Sequence, residues 1–323
     1  MKNNFKNIGF MMLGPDATWD TTVLDIFKTY GIQILLCKIV TITDITAEKV
    51  YQKELLAGKI SSWWIKNKFF SLGPCFVALV GGSVPHNFSS FCDYLLSIKG
   101  ASDPNIRAAG TIRDQYEVPN KAFGFMHSSD DIESAMYEAS LFFENYEIER
   151  SIIEYPSSIH KFDASVKMAK YINIKRMEMN RSYVSAFYNL KTVLLQKLKA
   201  ENILPITGSQ YNAIFQLYQE AYNITKTGYS YTEEKSRIIE LLTKEQEILE
   251  LCLKTIKIPP DSIVSSVCND VVLLQLVIVY YALSCHRNFN RLDGCHLIHC
   301  ITANGIYLDD WDKLLLESSL FFF

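Results

Sequence analysis

A histidine with small and acidic residues behind it, Phe125-Met126-His127-Ser128-Ser129-Asp130-Asp131, precedes a stretch with helical spacing. In that stretch Ile132, Ala135, Met136, Ala139, Phe142 and Phe143 form one apolar stripe, and Glu138 falls on it. A carboxylate aimed into a core is costly unless a hydrogen-bond donor meets it. His127 is within reach of the first turns of this helix. Asp130 or Ser129 is expected to cap it, and Asp131 to favour its positive end. An imidazole oriented by a carboxylate has a fixed tautomer and a nucleophilic second nitrogen. The plain alternative is a histidine at the core edge, satisfied by a backbone group. Upstream, Gly110-Thr111-Ile112-Arg113 brings a cation into the same region of sequence.

The elements that must position these residues are of two kinds. Over residues 1–150, compact apolar runs at 8–13, 32–40 and 75–80 read as strands, with a short fourth at 122–126. Between and after them, 46–56, 84–98 and 131–143 have helical spacing. Such alternation predicts an α/β or α+β domain with helices packed on one sheet. Beyond residues 155–158 helical signals dominate, at 164–200, 210–224, 232–256 and 262–285. A last stretch, 292–323, is broken near Ala303-Asn304-Gly305. Within 232–256, Ile238, Leu241, Leu242, Ile248, Leu249 and Leu253 recur near helical spacing, as in an amphipathic bundle helix. The expected organisation is a first domain over 1–150, a linker over 151–163 and an all-α helical domain over 164–323.

Further motifs accompany the histidine segment in order. Gly14-Pro15-Asp16-Ala17 follows the first strand, and Tyr51 lies in the next helical stretch. Leu72-Gly73-Pro74 precedes an apolar strand, and Gly100-Ala101-Ser102-Asp103-Pro104 leads to Ala109-Gly110-Thr111-Ile112-Arg113. Over about residues 8–149 this series resembles the nucleoside diphosphate kinase family. The resemblance implies a ferredoxin-like βαββαβ fold and a ping-pong transfer of the terminal phosphate of a nucleoside triphosphate to a nucleoside diphosphate. By resemblance His127 is the nucleophile, with Glu138 and Ser129 orienting its ring. Arg113, Tyr51 and Ser102, a serine in place of the family's threonine, are then the nucleotide-binding residues, with Gly14 in the same turn. Mg2+ is implied only as an ion carried by the nucleotide phosphates, without a protein metal cage. Catalysis of this kind rests on positioning and on cations around the transferred group. Self-association is also implied.

The departures from the family pattern fall on the same site. Gly14 replaces a lysine, Leu96 an arginine, and Gly124 an asparagine that contacts the ribose. Ser128 replaces a glycine and Asp131 adds negative charge. The base-stacking phenylalanine has no clean counterpart, for which Trp63 or Trp64 is the available substitute. Losing one preorganised contact to a transition state costs about 3 kcal/mol, so these losses predict weakened turnover. Lys99, Arg107 and Lys121 are nearby cations and are expected chiefly as solvated surface charges. A second reading follows: a weak or inactive pseudokinase, whose nucleotide-binding and helical domains form a regulatory or partner-binding module.

Composition sets the outer bounds. The 323 residues are 49% hydrophobic and 21% charged, which excludes a disordered tail and a small disulfide scaffold. The formal net charge of -3 argues against nucleic acid as a partner. Eight cysteines without a CxxC pair point to reduced thiols and a cytoplasmic setting. The apolar start at 8–13 is too short for a signal peptide, and 271–285 too short for a membrane span, so no membrane role is expected. Cys295-His296-Leu297-Ile298-His299-Cys300 is dense in potential zinc ligands, but its i,i+4 pairs point in different directions. His86 and His160 read as surface residues, and the terminal Leu320-Phe321-Phe322-Phe323 as a cluster buried against its own domain or a partner.

Overall fold

Residues 5–18, 22–58, 62–155, 182–201, 204, 206–227, 229–256 and 272–323 are described by the computed structural model. Every residue of β1 (Ile8–Leu13) is buried, and so is every residue of β3 (Cys75–Gly81), because these two strands occupy the centre of the sheet. The order is β2-β3-β1-β4, with β2 (Gln33–Val40) and β4 (Met126–Ser128) at the edges. All three pairings are antiparallel, which is the arrangement of a ferredoxin-like sheet.

Helices cover this sheet. They are α1 (Pro15–Thr18), α2 (Val23–Thr29), α3 (Asp44–Val50), α4 (Gln52–Leu56) and α5 (Trp63–Ser71), followed by α6 (Phe91–Lys99), α7 (Ile112–Gln115), α8 (Ile132–Ser140) and α9 (Asn145–Glu154). Both α6 and α8 pack on the central β1, which places the start of α8 beside the edge strand that carries His127.

Three boundaries differ from the sequence expectation, each for a local reason. The stretch 46–56 is two helices, since Tyr51 leaves helical geometry (φ −101°, ψ 19°) and buries its ring. The stretch 84–98 becomes helical only at Phe91, where Ser90 accepts a bond from the Asp93 amide. The short strand expected at 122–126 lies at Met126–Ser128 instead. Phe125 takes a left-handed backbone (φ 46°) and its carbonyl accepts from the Gly14 amide, so the ladder with β1 begins one residue later. A non-glycine residue there costs about 1–2 kcal/mol, held in place by surrounding bonds.

The chain divides into two compact units, Met1–Glu178 and Met179–Phe323. Helix α9 runs through Glu154, into the stretch expected as a linker, and residues 156–163 lie outside the described residues, as does His160. The second unit is helical: α10 (Tyr183–Ala200), α11 (Gly208–Ile224), α12 (Tyr231–Ile256), α13 (Val272–Ala282), α14 (Gly294–Ala303) and α15 (Asp310–Phe322). Their starts are capped by side chains: Ser182 for α10, Thr207 with Gln210 for α11, Asp293 for α14 and Asp309 for α15. The expected stripe of α12 is internal, with Ile238, Leu241, Leu242 and Leu249 buried. The apolar stretch at 271–285 contributes α13, buried from Leu276 to Ala282; among the described residues no helix is long and apolar enough to cross a membrane. Phe323 packs on Phe289 and Tyr183 within this unit, and among the described residues no three potential ligands gather for a metal ion.

Four of these helices meet at a buried polar knot. Lys191 of α10 pairs with Glu245 of α12 at 2.7 Å, the two side chains being 0% and 1% exposed. Lys191 also donates to Ser284 Oγ and the Leu283 carbonyl, while Tyr218 and Tyr280 donate to Glu245 Oε1. Removing one partner of such a pair strands a charge in the core, whereas replacing both by apolar groups does not. Glu245→Ala should therefore lower stability by about 3–5 kcal/mol. Lys191→Met with Glu245→Leu should lose much less, as read from denaturant midpoints of the helical circular-dichroism signal.

Candidate active site

Strand β4 and helix α8 bring His127, Ser129 and Glu138 together. The Glu138 carboxylate is buried, 6% exposed, and its Oε2 lies 2.7 Å from His127 Nε2 and 2.7 Å from Ser129 Oγ. The donor that a carboxylate on the inner stripe demands is thus supplied twice. Ser129 is consumed in this bond and does not cap α8; Asp131 is the cap, accepting from the Ser134 amide at 2.7 Å. A carboxylate at Nε2 makes that nitrogen the donor and leaves Nδ1 with its lone pair.

Tyr51 stands over this triad, its ring centroid 5.1 Å from that of His127, and Trp63 packs edge-on to Tyr51 at 5.9 Å. Trp64 is 43% exposed, with the Lys68 ammonium 5.1 Å from its ring. Burial pushes the Tyr51 hydroxyl well above the ordinary phenol range, with Arg113 opposing the rise. Arg113 is buried among backbone carbonyls: Nε donates to Gly124 O, Nη1 to Gly100 O and Nη2 to Met126 O, at 2.8–3.1 Å. Three of its five N–H groups therefore brace the loops around β4. Ser102 is half-buried, and its carbonyl accepts from Arg107.

Over residues 7–148 the chain matches the family profile described as nucleoside diphosphate kinase. It is similar to the nucleoside diphosphate kinase of Sulfolobus acidocaldarius, at 30% identity over 139 residues that cover 42% of this chain and 89% of that protein. The chain belongs to the nucleoside diphosphate kinase family. Its similarity to the Saccharolobus solfataricus nucleoside diphosphate kinase is 29% over 142 residues, 43% of this chain and 96% of that protein. Among solved structures, the Aquifex aeolicus nucleoside diphosphate kinase aligns at 25% identity and a TM-score of 0.37, covering 44% of this chain and 97% of that one.

The glycines at positions 14 and 124 both lie against helix α5. A Cβ on Gly14 would meet the Phe69 ring at 2.7 Å and Asp16 Oδ1 at 2.6 Å. A Cβ on Gly124 would come within 3.2 Å of Lys66 Nζ. Both glycines therefore face helix α5, which presents Phe69 and Lys66 to them. Asp16, 2% exposed, accepts from the Phe125 amide at 3.0 Å and so ties the β1–α1 turn to the loop before His127.

Of the three cations expected as solvated, only Lys121 fits that description, 47% exposed and paired with Asp103 at 2.8 Å. Arg107 instead clamps four carbonyls, those of Ala101, Ser102, Arg113 and Val118. Lys99 is half-buried and reaches the Ser128 carbonyl beside His127. Burial first, then the Arg113 charge, brings Lys99 down to about 8.

Lys66 escaped the sequence reading. It is 8% exposed, donates to the Ala122 carbonyl at 3.2 Å, and lies 5.4 and 5.3 Å from the Tyr51 and Phe69 ring centroids. The signal was present: Lys66 stands three and four residues before Phe69 and Phe70, on the inner stripe, as Glu138 does on its own helix. Burial, followed by the charge of Arg113, lowers it to about 8 from 10.5.

Two stability predictions follow from α5. Between about pH 8 and 10.5 the unfolded chain holds a proton that folded Lys66 has released, so stability rises with pH across that window. Lys66→Met should remove the penalty below pH 8 and stabilise the protein by about 1–3 kcal/mol at pH 7, measured by urea unfolding. Gly14→Ala should overpack against Phe69 and cost about 1–3 kcal/mol, with Phe69→Leu in the same chain recovering part of it.

Proposed function

We propose that this chain is a phosphotransferase that moves the γ-phosphate of a nucleoside triphosphate to a nucleoside diphosphate through His127. The observation that carries the reading is the buried His127–Glu138–Ser129 constellation, with two 2.7 Å bonds converging on one carboxylate oxygen. His127 Nδ1 attacks the γ-phosphorus; an N–P bond forms as the P–O bond to the departing diphosphate breaks. The carboxylate stabilises the positive charge that the ring acquires. An incoming nucleoside diphosphate then takes the phosphoryl group, its terminal oxygen attacking phosphorus as the N–P bond breaks.

Arg113 and Tyr51 are the nucleotide-facing residues in this reading, with Ser102 and the Gly14 turn beside them and Trp63 as a platform for the base. Mg2+, when carried in by the nucleotide, would supply charge neutralisation at its phosphates. Self-association, a role for the helical unit in binding a protein partner, and a reducing cytoplasm as the working environment belong to the same proposal.

A second reading, a nucleotide-binding module without turnover, is favoured by the commitment of Arg113 to three backbone carbonyls. One experiment decides between them. Incubated with γ-labelled ATP and Mg2+, the protein should acquire an acid-labile label that chases onto an added nucleoside diphosphate. His127→Ala should abolish the label with little loss of folding, and Glu138→Gln should slow labelling by about 100-fold. Absence of label at saturating nucleotide overturns the phosphotransferase reading, and undiminished label in His127→Ala overturns the nucleophile.

A further inference from the structure

Helix α5 enters the site between two residues without side chains. The Phe69 ring occupies the space a Cβ on Gly14 would need, and the Lys66 ammonium borders the space a Cβ on Gly124 would need. Lys66 thereby lies against the Tyr51 ring, which in turn packs on His127. We propose that Lys66 is a phosphate-binding residue of this site, its ammonium meeting the phosphates of a nucleoside di- or triphosphate where Gly14 offers no side chain. The ligand class rests on the phosphotransferase reading; the assignment of the residue rests on the packing of α5.

The surroundings of Lys66 favour an anionic visitor. Among the described residues, its ammonium donates to a neutral carbonyl, Ala122 O, and lies against two aromatic faces. Such an ammonium has given up water without, among the described residues, gaining a partner of opposite charge at bonding distance, which is costly unless a ligand supplies one. The groups that act on it across the site are Arg113 from α7, Asp16 from α1, Cys75 from β3 and Glu54 from α4. Arg113 opposes its charge, and also that of Lys99 beside Ser128. Like charges thus converge in a poorly solvated region, and a polyphosphate relieves them together. Asp16 favours the protonated ammonium but also accepts the Phe125 amide, which spreads its negative charge over the loop.

Binding of an anion at Lys66 must therefore draw protons onto the protein near pH 8, where its ammonium is partly titrated. Calorimetric titration of the full chain with ADP at pH 8, in two buffers of different ionisation enthalpy, reads this uptake directly. The wild type should take up a substantial fraction of a proton. Lys66→Met should bind ADP about 10-fold or more weakly at pH 7 and take up measurably less at pH 8. Lys66→Arg should restore affinity without restoring the lost uptake. Lys99→Met, which removes another ammonium that burial brings down to about 8, should leave the contribution of Lys66 in place.

Unchanged ADP affinity in Lys66→Met overturns the proposal. So does weakened affinity with wild-type proton uptake, which would mark a merely structural lysine. Circular dichroism and urea unfolding of the same variant verify that it is folded. Because ADP binding needs no turnover, the two readings fail separately. A chain that binds ADP through Lys66 but never labels His127 overturns only the phosphotransferase reading. One that labels His127 while binding ADP without Lys66 overturns only this proposal.

Discussion

A carboxylate buried on the inner stripe of a helix must be met by donors, and much of the site is arranged around that need. Glu138 is satisfied by His127 and Ser129, two residues of one short segment that begins in an edge strand. That segment can reach α8 only because β4 pairs with the central β1 and α8 packs on the same strand. The sheet order β2-β3-β1-β4 is thus a condition for the imidazole's orientation. The loop before β4 is fixed from the β1–α1 turn, where the Asp16 carboxylate accepts from the Phe125 amide and the Gly14 amide donates to the Phe125 carbonyl.

Cations around His127 divide into those spread over several carbonyls and those that reach one. Arg107 and Arg113 spend most of their donors on carbonyls of the surrounding loops, where planar forks suit several acceptors at once. Lysines have compact charge and long stems, and here Lys66 and Lys99 each reach a single carbonyl. Their charge is the more adaptable one, at the cost of a proton that burial loosens.

What the sequence disclosed followed from periodicity. Glu138 stood on an apolar stripe, which required a partner and led to His127; the strands β1 and β3 were continuous apolar runs; the helical second unit was visible in long amphipathic stretches. Family motifs in order then supplied the ferredoxin-like fold. The parts that stayed hidden were imposed by contacts distant in sequence. The left-handed Phe125, which shifts β4 to Met126, is set by bonds from residues 14 and 16. Likewise the break at Tyr51 follows from burying its ring beside Trp63 and Phe70. Lys66 was legible by the rule that exposed Glu138, but a lysine near tryptophans invites assignment to the surface, and a long stem conceals where its charge ends. Glu245 sits among the leucines of α12 in the same way, its partner Lys191 lying on another helix.

The packing of α5 also constrains how this lineage can change. A side chain larger than hydrogen at position 14 collides with the Phe69 ring, and one at position 124 crowds Lys66. A larger residue at position 14 therefore requires that the Phe69 ring shift or shrink. A smaller residue in place of Phe69 alone would instead leave a void beside Gly14. Positions 14 and 69 are thus sterically coupled, so that a larger residue at one is accommodated by a smaller one at the other.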